Sequence, residues 1–277
     1  MKNAVAICGY GYVGKAYARF FQNYYDVLVY DPTQTGIEQG VKARYATQEE
    51  INEQAILAVV CVPTLEREDG SCDISIVEES IGWLDVPNIL IKSAVEPLTT
   101  ERLVAETGKS ICVSPEYIGE GRYFIPYWKY PHPTDVKMHD FLIIGGTNEA
   151  MTPVVDIILR VSGVSLRVYK MRAVEAEVVK YMENSWGATK VTFANEFYEI
   201  CQAFGADYHT VREGFVADPR VERMHTVVFP HSRGFGGKCF PKDVAAIVSA
   251  SKAVGYTPKL LQQVLDSNKD FRAKNEV

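Results

Sequence analysis

One segment concentrates the reactive chemistry of this chain: Gly234-Phe235-Gly236-Gly237-Lys238-Cys239-Phe240-Pro241-Lys242-Asp243. Three glycines free the backbone around a single cysteine, and Pro241 suits the first turn of a following helix. Cys239 is therefore expected just before a helix N-terminus, with Lys238 and Lys242 beside it. Both features lower a thiol pKa and expose a thiolate nucleophile. A cysteine that merely packs a loop needs neither the glycines nor the lysines.

A second segment, Gly9-Tyr10-Gly11-Tyr12-Val13-Gly14, follows the first apolar run and opens a helical pattern. Asp31 ends the next apolar run about 20 residues on, which completes the dinucleotide-binding fingerprint. Gly9 permits the tight turn, Gly11 lets a pyrophosphate approach the backbone, and Gly14 allows close helix-strand packing. The helix start offers amide donors and a positive dipole to phosphate. Asp31 can accept from both ribose hydroxyls and would repel a 2′-phosphate, so NAD is expected rather than NADP. Val62-Pro63-Thr64 ends another apolar run and is placed on the adenosine side, although the tripeptide alone reads equally well as a strand-ending turn.

Lys180 and Asn184 stand one helical turn apart, so they share a face. An ammonium and an amide there can point at one oxygen. From spacing alone the same pair is more often plain solvated surface.

The elements that must position these groups divide the chain. Short continuous apolar runs at Ala4–Cys8, Val27–Tyr30, Ile56–Val62, Ile89–Ile91, Ile111–Val113 and Phe141–Ile144 read as strands buried on both faces. Segments such as Val13–Gln22, Ile74–Leu84 and Thr99–Glu106 read as helices between them, and Leu166–Tyr169 as a last strand. The fold class is α/β, a Rossmann doubly wound parallel sheet. From Arg172 to Phe204 there is no proline and one glycine, Gly187, with apolar residues at helical spacing. One long helix is expected there, kinked near Gly187, then shorter helices at Tyr208–Gly214, Asp243–Val254 and Lys259–Phe271. The predicted domains are residues 1–170, binding the cofactor, and 171–277, helical, carrying the cysteine loop. Tyr123–Pro133, rich in proline and aromatics, reads as a structured loop near a site.

The bulk properties narrow the function. The chain has 277 residues, a net charge of -6 and 47% hydrophobic residues, which suit a globular protein and speak against nucleic acid as a partner. No apolar run reaches the roughly 18 residues of a membrane span, and the N-terminus lacks a signal-peptide cleavage pattern. Six cysteines without metal-ligand spacing fit buried thiols in a reducing cytoplasm, and no metal site is expected.

Four segments together resemble the UDP-glucose/GDP-mannose dehydrogenase family of nucleotide-sugar 6-dehydrogenases: Gly9–Gly14, Ser114-Pro115-Glu116-Tyr117-Ile118-Gly119-Glu120-Gly121, Lys180 with Asn184, and Gly234–Asp243. The resemblance implies NAD as cofactor and four-electron oxidation of a sugar's 6-hydroxymethyl, most simply that of UDP-glucose, through a thiohemiacetal and a thioester on Cys239. Lys180 and Asn184 would stabilise the developing oxyanions, with Lys180 also handling a proton. Asp243 would orient water or tune Lys180, and Glu116 would assist thioester hydrolysis. The resemblance further implies cofactor contacts from Tyr12, Val13 and Ser93. Substrate contacts would come from Tyr117, Ile118, Gly119, Glu120, Phe235, Gly236 and Gly237. Arg220 matches an arginine that reaches a neighbouring subunit's substrate, which implies a homodimer.

Two departures stand out. Ser93-Ala94-Val95-Glu96-Pro97 replaces the family's usual Ser-Thr-Val-Pro-Pro, so Ala94 lacks a hydroxyl near the nicotinamide, and Ser114 replaces an asparagine. Family members also continue into a nucleotide-sugar-binding lobe of roughly 100–150 residues, a common domain size. This sequence is expected to lack that lobe, which leaves open a shortened chain, a naturally minimal enzyme, or a further chain that supplies it. Two other readings remain: a two-electron dehydrogenase of a small hydroxyacid, and a non-catalytic or partner-dependent NAD-binding subunit.

Overall fold

The computed structural model describes residues 2–34, 36–118, 135–163 and 165–275. The apolar runs become strands: β1 (Ala4–Cys8) leads into helix α1 (Tyr12–Phe21), then β2 (Asp26–Tyr30), the short β3 (Arg44–Tyr45), α2 (Gln48–Gln54) and β4 (Ala55–Val60). Two-residue strands β5 (Leu65–Glu66) and β6 (Cys72–Asp73) pair as a hairpin, and α3 (Ser75–Trp83), β7 (Ile89–Ile91), α4 (Thr99–Thr107) and β8 (Ile111–Val113) follow. Then come β9 (Phe141–Gly145), α5 (Asn148–Ser162), β10 (Arg167–Met171), the 31-residue α6 (Ala173–Ala203), α7 (Tyr208–Phe215), α8 (Phe240–Ala253) and α9 (Lys259–Ala273).

Among the described residues the large sheet has eight strands in the order β10-β9-β8-β7-β4-β1-β2-β3. The order reverses at β1, whose neighbours are β2 and β4, both parallel to it. That reversal is the crevice where doubly wound sheets bind ligands. One pairing departs from the parallel expectation: β9 runs antiparallel to β8, meeting it at Val113 and Gly145. Parallel neighbours need a crossover, usually helical. Running antiparallel to β8, β9 enters from the opposite end, and the described part of the connection includes a 3-10 turn at Val136–Met138. β10 then pairs parallel with β9 through the crossover helix α5.

The central strands β1, β4, β7 and β8 are buried on both faces, which explains their unbroken apolar runs, whereas the edge strands β3 and β10 are not. Val5, Ile7, Leu57, Val59 and Leu90 face one core, with Phe20 and Phe21 of α1. Ala6, Cys8, Ala58, Val60, Ile89 and Ile91 face the other, with Ile81 of α3 and Leu103 of α4. Local chemistry fixes the helix starts. Thr47 and Glu50 form a reciprocal capping box on α2, and Asp207 accepts from His209 N and Thr210 N on α7.

The chain divides into two compact units: Met1–Leu65 with Asp73–Lys180, and Glu66–Cys72 with Tyr181–Val277. The second unit has its own small cores, one of Ala188, Phe235, Val244 and Val264, the other of Ala194, Cys201, Tyr208 and Val228. Helix α6 is unbroken through Gly187. The glycine there serves packing: a Cβ would lie 2.5 Å from the Phe240 ring. The Tyr123–Pro133 loop expected from the sequence lies outside the described residues. No described helix is long and apolar enough to cross a membrane.

Candidate active site

The first glycine turn is built by contact with its own unit's backbone. Gly9 has φ +92, and a Cβ there would sit 2.8 Å from both the carbonyl carbon and oxygen of Cys61. At Gly14 a Cβ would fall 2.0 Å from Gly9 O, so only glycine lets α1 lie against the end of β1. Gly11 behaves differently: nothing lies within 4 Å of its Cβ position. It is the N-cap of α1 and brings no side chain to cap the helix amides. Open space over helix N–H donors is what a pyrophosphate needs, so these residues fit a dinucleotide.

Asp31 completes the cradle. Its Oδ2 accepts from Tyr10 N at 2.6 Å, and its Oδ1 from Thr33 N and Oγ1, both at 2.8 Å. Burial pushes its pKa up, but these bonds, with one from Gln34 N, outweigh it and hold the carboxyl below its ordinary value. A negative charge is thus fixed beside the turn. Ser93 is nearly buried, and its hydroxyl donates to Val62 O at 2.7 Å, tying the ends of β7 and β4 together. The hydroxyl's one hydrogen is thus given to the scaffold, and its lone pairs can still accept.

Next to the cradle, Lys180 of α6 lines one cavity with Ser93, Ala94, Val95, Glu116 and Glu177. Its ammonium lies 5.3 Å from the Tyr117 ring centre, within cation–π range. Glu116 is held by its own loop: Oε1 accepts from Tyr117 N at 2.7 Å and Ile118 N at 2.5 Å. Its Oε2 is 3.6 Å from the ammonium of Lys92. Lys92 is only 4% exposed, donates to Ser114 Oγ at 3.1 Å and Pro115 O at 2.7 Å, and lies over the Tyr17 ring. Ser114 thus accepts from Lys92. Burial lowers the Lys92 pKa, and Glu116 opposes that shift.

Sequence reasoning missed two residues of this unit. Lys92 reads as the polar end of a strand, and nothing local marks it as buried. Glu177, one turn before Lys180, is 2% exposed and caps α4 from a distance. It accepts from Leu98 N at 2.7 Å, Thr100 N at 2.8 Å and Thr100 Oγ1 at 2.6 Å. Leu98, the donor of the first of these bonds, has a left-handed backbone at φ 77.

In the second unit the helix carrying the thiol starts three residues earlier than expected, at Phe240, and Cys239 is its N-cap. Pro241 sits in the first turn. Cys239 is the exposed cysteine, whereas Cys8, Cys72, Cys112 and Cys201 are buried. Burial pushes the Cys8 and Cys112 thiols up to about 12, which keeps them protonated and inert. Behind Cys239, Asp243 N donates to Cys239 O at 2.8 Å. The Asp243 carboxylate is buried and takes the Asn184 amide and the Lys242 ammonium, each at 2.5 Å. Lys242, expected beside the thiol, is therefore engaged by Asp243.

The remaining sequence candidates fall in several places. Tyr12 and Val13 form the first turn of α1, and Pro63 and Thr64 follow β4. Phe235 is buried in the core of its unit with Val244 and Val264, and Gly236 and Gly237 flank the thiol on the loop. Arg220 has a side chain 87% exposed and pairs with Asp218 in its own turn. Gly119 and Glu120 lie outside the described residues. No group of three or more His, Cys, Asp or Glu among the described residues is placed to hold a metal.

The sequence profile of the UDP-glucose/GDP-mannose dehydrogenase family, central domain, matches residues 174–270. The UDP-glucose 6-dehydrogenase AglM of Haloferax volcanii is 31% identical over 232 residues, covering 76% of this chain and 51% of that protein. The UDP-glucose 6-dehydrogenase of Rickettsia bellii is 32% identical over 232 residues, covering 79% and 50%. This chain spans about half the length of these curated relatives. Among solved structures, a UDP-glucose dehydrogenase from Pyrobaculum islandicum superposes with a TM-score of 0.79 at 25% identity, over 98% of this chain and 68% of that one.

Proposed function

This chain belongs to the UDP-glucose/GDP-mannose dehydrogenase family, and we propose on that premise that it oxidises the 6-hydroxymethyl of a nucleotide sugar to a carboxylate. UDP-glucose is the first substrate to test, and the product would be UDP-glucuronate. The observation that carries the reading is the exposed Cys239 at the N-cap of α8, on a loop of glycines. A single oxidation of an alcohol needs no thiol. An oxidation that continues from aldehyde to acid gains from one, because the covalent intermediate holds the carbon for the second step.

NAD, bound on the Gly9–Gly14 turn with Asp31 at its ribose, would accept one hydride per molecule, so two NAD in succession would serve the two oxidations. The division of labour follows residues 1–170 for that cofactor and 171–277 for the thiol. The C6 alcohol loses a hydride and a proton to become an aldehyde. The Cys239 sulfur adds to its carbon, and the oxygen takes a proton, giving a thiohemiacetal. Loss of a second hydride and that proton leaves a thioester. Water adds, the carbon–sulfur bond breaks, and the carboxylate departs as the thiol is restored. Lys180 and Asn184, one turn apart on α6, serve the oxyanion of each tetrahedral stage, and Lys180 takes the alcohol's proton. Asp243 holds the Asn184 amide by its hydrogen bond. Glu116 assists the water, and its fixed carboxylate supports that role.

A homodimer is part of the same proposal, with Arg220 reaching a neighbour's substrate. Met182, Trp186, Phe193, Phe197, Ile200 and Phe204 of α6 and its end are exposed large apolar residues, spaced along one helix face. Such a stripe suits a self-complementary contact. Light scattering of the wild type and of Phe197→Asp checks it; equal monomer masses in both would remove the dimer.

The test of the reaction is a count of NADH formed per sugar consumed. Two NADH per UDP-glucose and a uronate product are expected, with Cys239→Ser reducing acid formation by about 10³-fold or more. Undiminished acid from the serine variant would remove the thioester route, and one NADH per product would point to a simple alcohol dehydrogenase. Ala94 favours a second reading, a partner-dependent NAD-binding subunit, and NAD binding without turnover across sugar nucleotides would support it.

A further inference from the structure

The cysteine loop is held by an element that carries no reacting group. Asn268, in the middle of α9, is 6% exposed, and both ends of its side-chain amide are used by one residue of the loop. Oδ1 accepts from Phe235 N at 2.7 Å, and Nδ2 donates to Phe235 O at 3.0 Å. This is the pairing a neighbouring strand would offer, supplied by one side chain to a backbone in a buried place. Leaving both groups unmatched there would be costly. Two positions earlier the same device recurs: Asn275 Oδ1 accepts from Arg233 N at 2.7 Å and its Nδ2 donates to Arg233 O at 3.0 Å.

The side chain of Arg233 fastens the same segment. Arg233 is 5% exposed, and its guanidinium donates to Asn195 Oδ1 at 2.7 Å, pairs with Glu199 at 2.8 Å and stacks 4.3 Å from the Tyr198 ring centre. Between the two clamped residues, Gly234 has φ +71, and a Cβ there would lie 2.5 Å from Asn268 Oδ1. Beyond Phe235, Gly236 and Gly237 carry the chain out to the exposed Cys239. Phe240 then packs on Gly187, and Asp243 fixes the first turn of α8. The thiol is thus an exposed group spanned between two anchors, and the anchor on its N-terminal side is Asn268.

We propose that Asn268 is the positioning residue of the thiol loop: its amide clamp on Phe235 keeps Cys239 at the N-terminus of α8 and so sets the reactivity of the thiol. The importance of that reactivity rests on the reading of Cys239 as the nucleophile.

The experiment uses the full chain and needs no sugar nucleotide. Site-resolved alkylation of Cys239 by iodoacetamide is followed against pH in the wild type, Asn268→Leu and Asn268→Asp, with NAD affinity and the thermal midpoint as controls of folding. Leucine removes both clamp bonds. Aspartate keeps the acceptor for Phe235 N and loses the donor. The expected result is a folded, NAD-binding Asn268→Leu whose alkylation profile moves up by about one pH unit, so that its rate at pH 7 falls about tenfold. Asn268→Asp should fall between the two. A merely structural asparagine would lower the midpoint and leave the profile in place, and superimposed profiles in a folded variant would overturn the proposal. Should the leucine variant not fold, amide exchange in the wild type decides: a protected Phe235 N–H supports the clamp, and exchange at the rate of an open loop removes it. If Cys239→Ser kept full acid production, the proposed reaction would fall while the alkylation result stood.

Discussion

The two glycine-rich loops look alike in sequence and are constrained by opposite means. Each leads to a helix N-terminus, and each puts three glycines within a few residues. In Gly9–Gly14 the glycines answer to backbone: Gly9 to Cys61, Gly14 to Gly9 itself. In Gly234–Gly237 they answer to side chains of a distant helix, Gly234 to Asn268 and Gly236 to Arg272. In each loop one glycine faces empty space, Gly11 in the first and Gly237 in the second. A loop made by backbone closeness carries its own specification and works wherever the strand and helix are in place. A loop made by side chains from elsewhere has to import its shape. The first suits a cofactor recognised by backbone amides. The second suits a reactive atom that must be aimed.

The hardest test of this contrast is Gly14→Ala. Its Cβ would lie 2.0 Å from Gly9 O, and backbone cannot swing aside. We expect a loss of stability on the order of 3 kcal/mol or more and no NAD binding by calorimetry. A normal unfolding curve with unchanged NAD affinity would break the contrast at its first term.

The next largest effect separates the units by pH. Each unit buries a carboxylate that steadies a helix start, but their partners differ. Asp243 has the Lys242 ammonium, whereas the bonds to Glu177 come from the Leu98 and Thr100 amides and the Thr100 hydroxyl. Burial pushes the Glu177 pKa up to about 7, against those donors. A carboxyl raised above its unfolded value contributes stability that is complete below about 4.5 and is lost as pH rises towards 7. The difference in unfolding free energy between the wild type and Glu177→Gln should therefore fall with pH across that window, by up to about 1.4 kcal/mol per pH unit. Stability curves that stay parallel from pH 4.5 to 8 would show that Glu177 is not the titrating group.

A smaller effect isolates ligand space from protein space. Gly11→Ala meets nothing within 4 Å, so stability should stay within about 0.5 kcal/mol. NAD affinity should nonetheless drop about tenfold, some 1.4 kcal/mol, because the methyl enters the volume a pyrophosphate would use. Unchanged affinity would mean that the turn does not hold the dinucleotide.

The same contrast explains which features could be read before the structure. The sheet, the cradle and α6 follow from patterns within a few residues: unbroken apolar runs, the glycine spacing, and apolar residues at helical intervals. The features that escaped depend on partners far along the chain. Asn268 meets Phe235 across 33 positions and Asn275 meets Arg233 across 42. Lys92 is buried where β7 pairs with β8 and lies over the Tyr17 ring, neither of which its local sequence shows. The two-residue strands β3, β5 and β6 are too short to show any alternation. A glycine in a helix usually costs stability, so Gly187 reads as a kink in the sequence, whereas in the structure it admits the Phe240 ring.

The smallest expected effect is also the finest test of what aims the thiol, and it needs two neighbouring glycines. At Gly236 a Cβ would lie 2.5 Å from Arg272 Nη1, the far end of a flexible, exposed side chain that can turn outward. Gly236→Ala should cost less than about 0.5 kcal/mol and leave Cys239 alkylation unchanged. At Gly234 the obstacle is the Oδ1 of Asn268, buried and committed to Phe235, and φ is +71. Strain in the left-handed region adds roughly 1 kcal/mol, so Gly234→Ala should be clearly destabilising and should slow alkylation as Asn268→Leu does. Differential scanning calorimetry and site-resolved alkylation of both variants give the comparison directly. If the two alanines cost the same, the loop is held evenly along its length and the asparagine has no special part in it. If only Gly234→Ala perturbs the thiol, the aim of Cys239 is set on the far side of the loop, through Asn268.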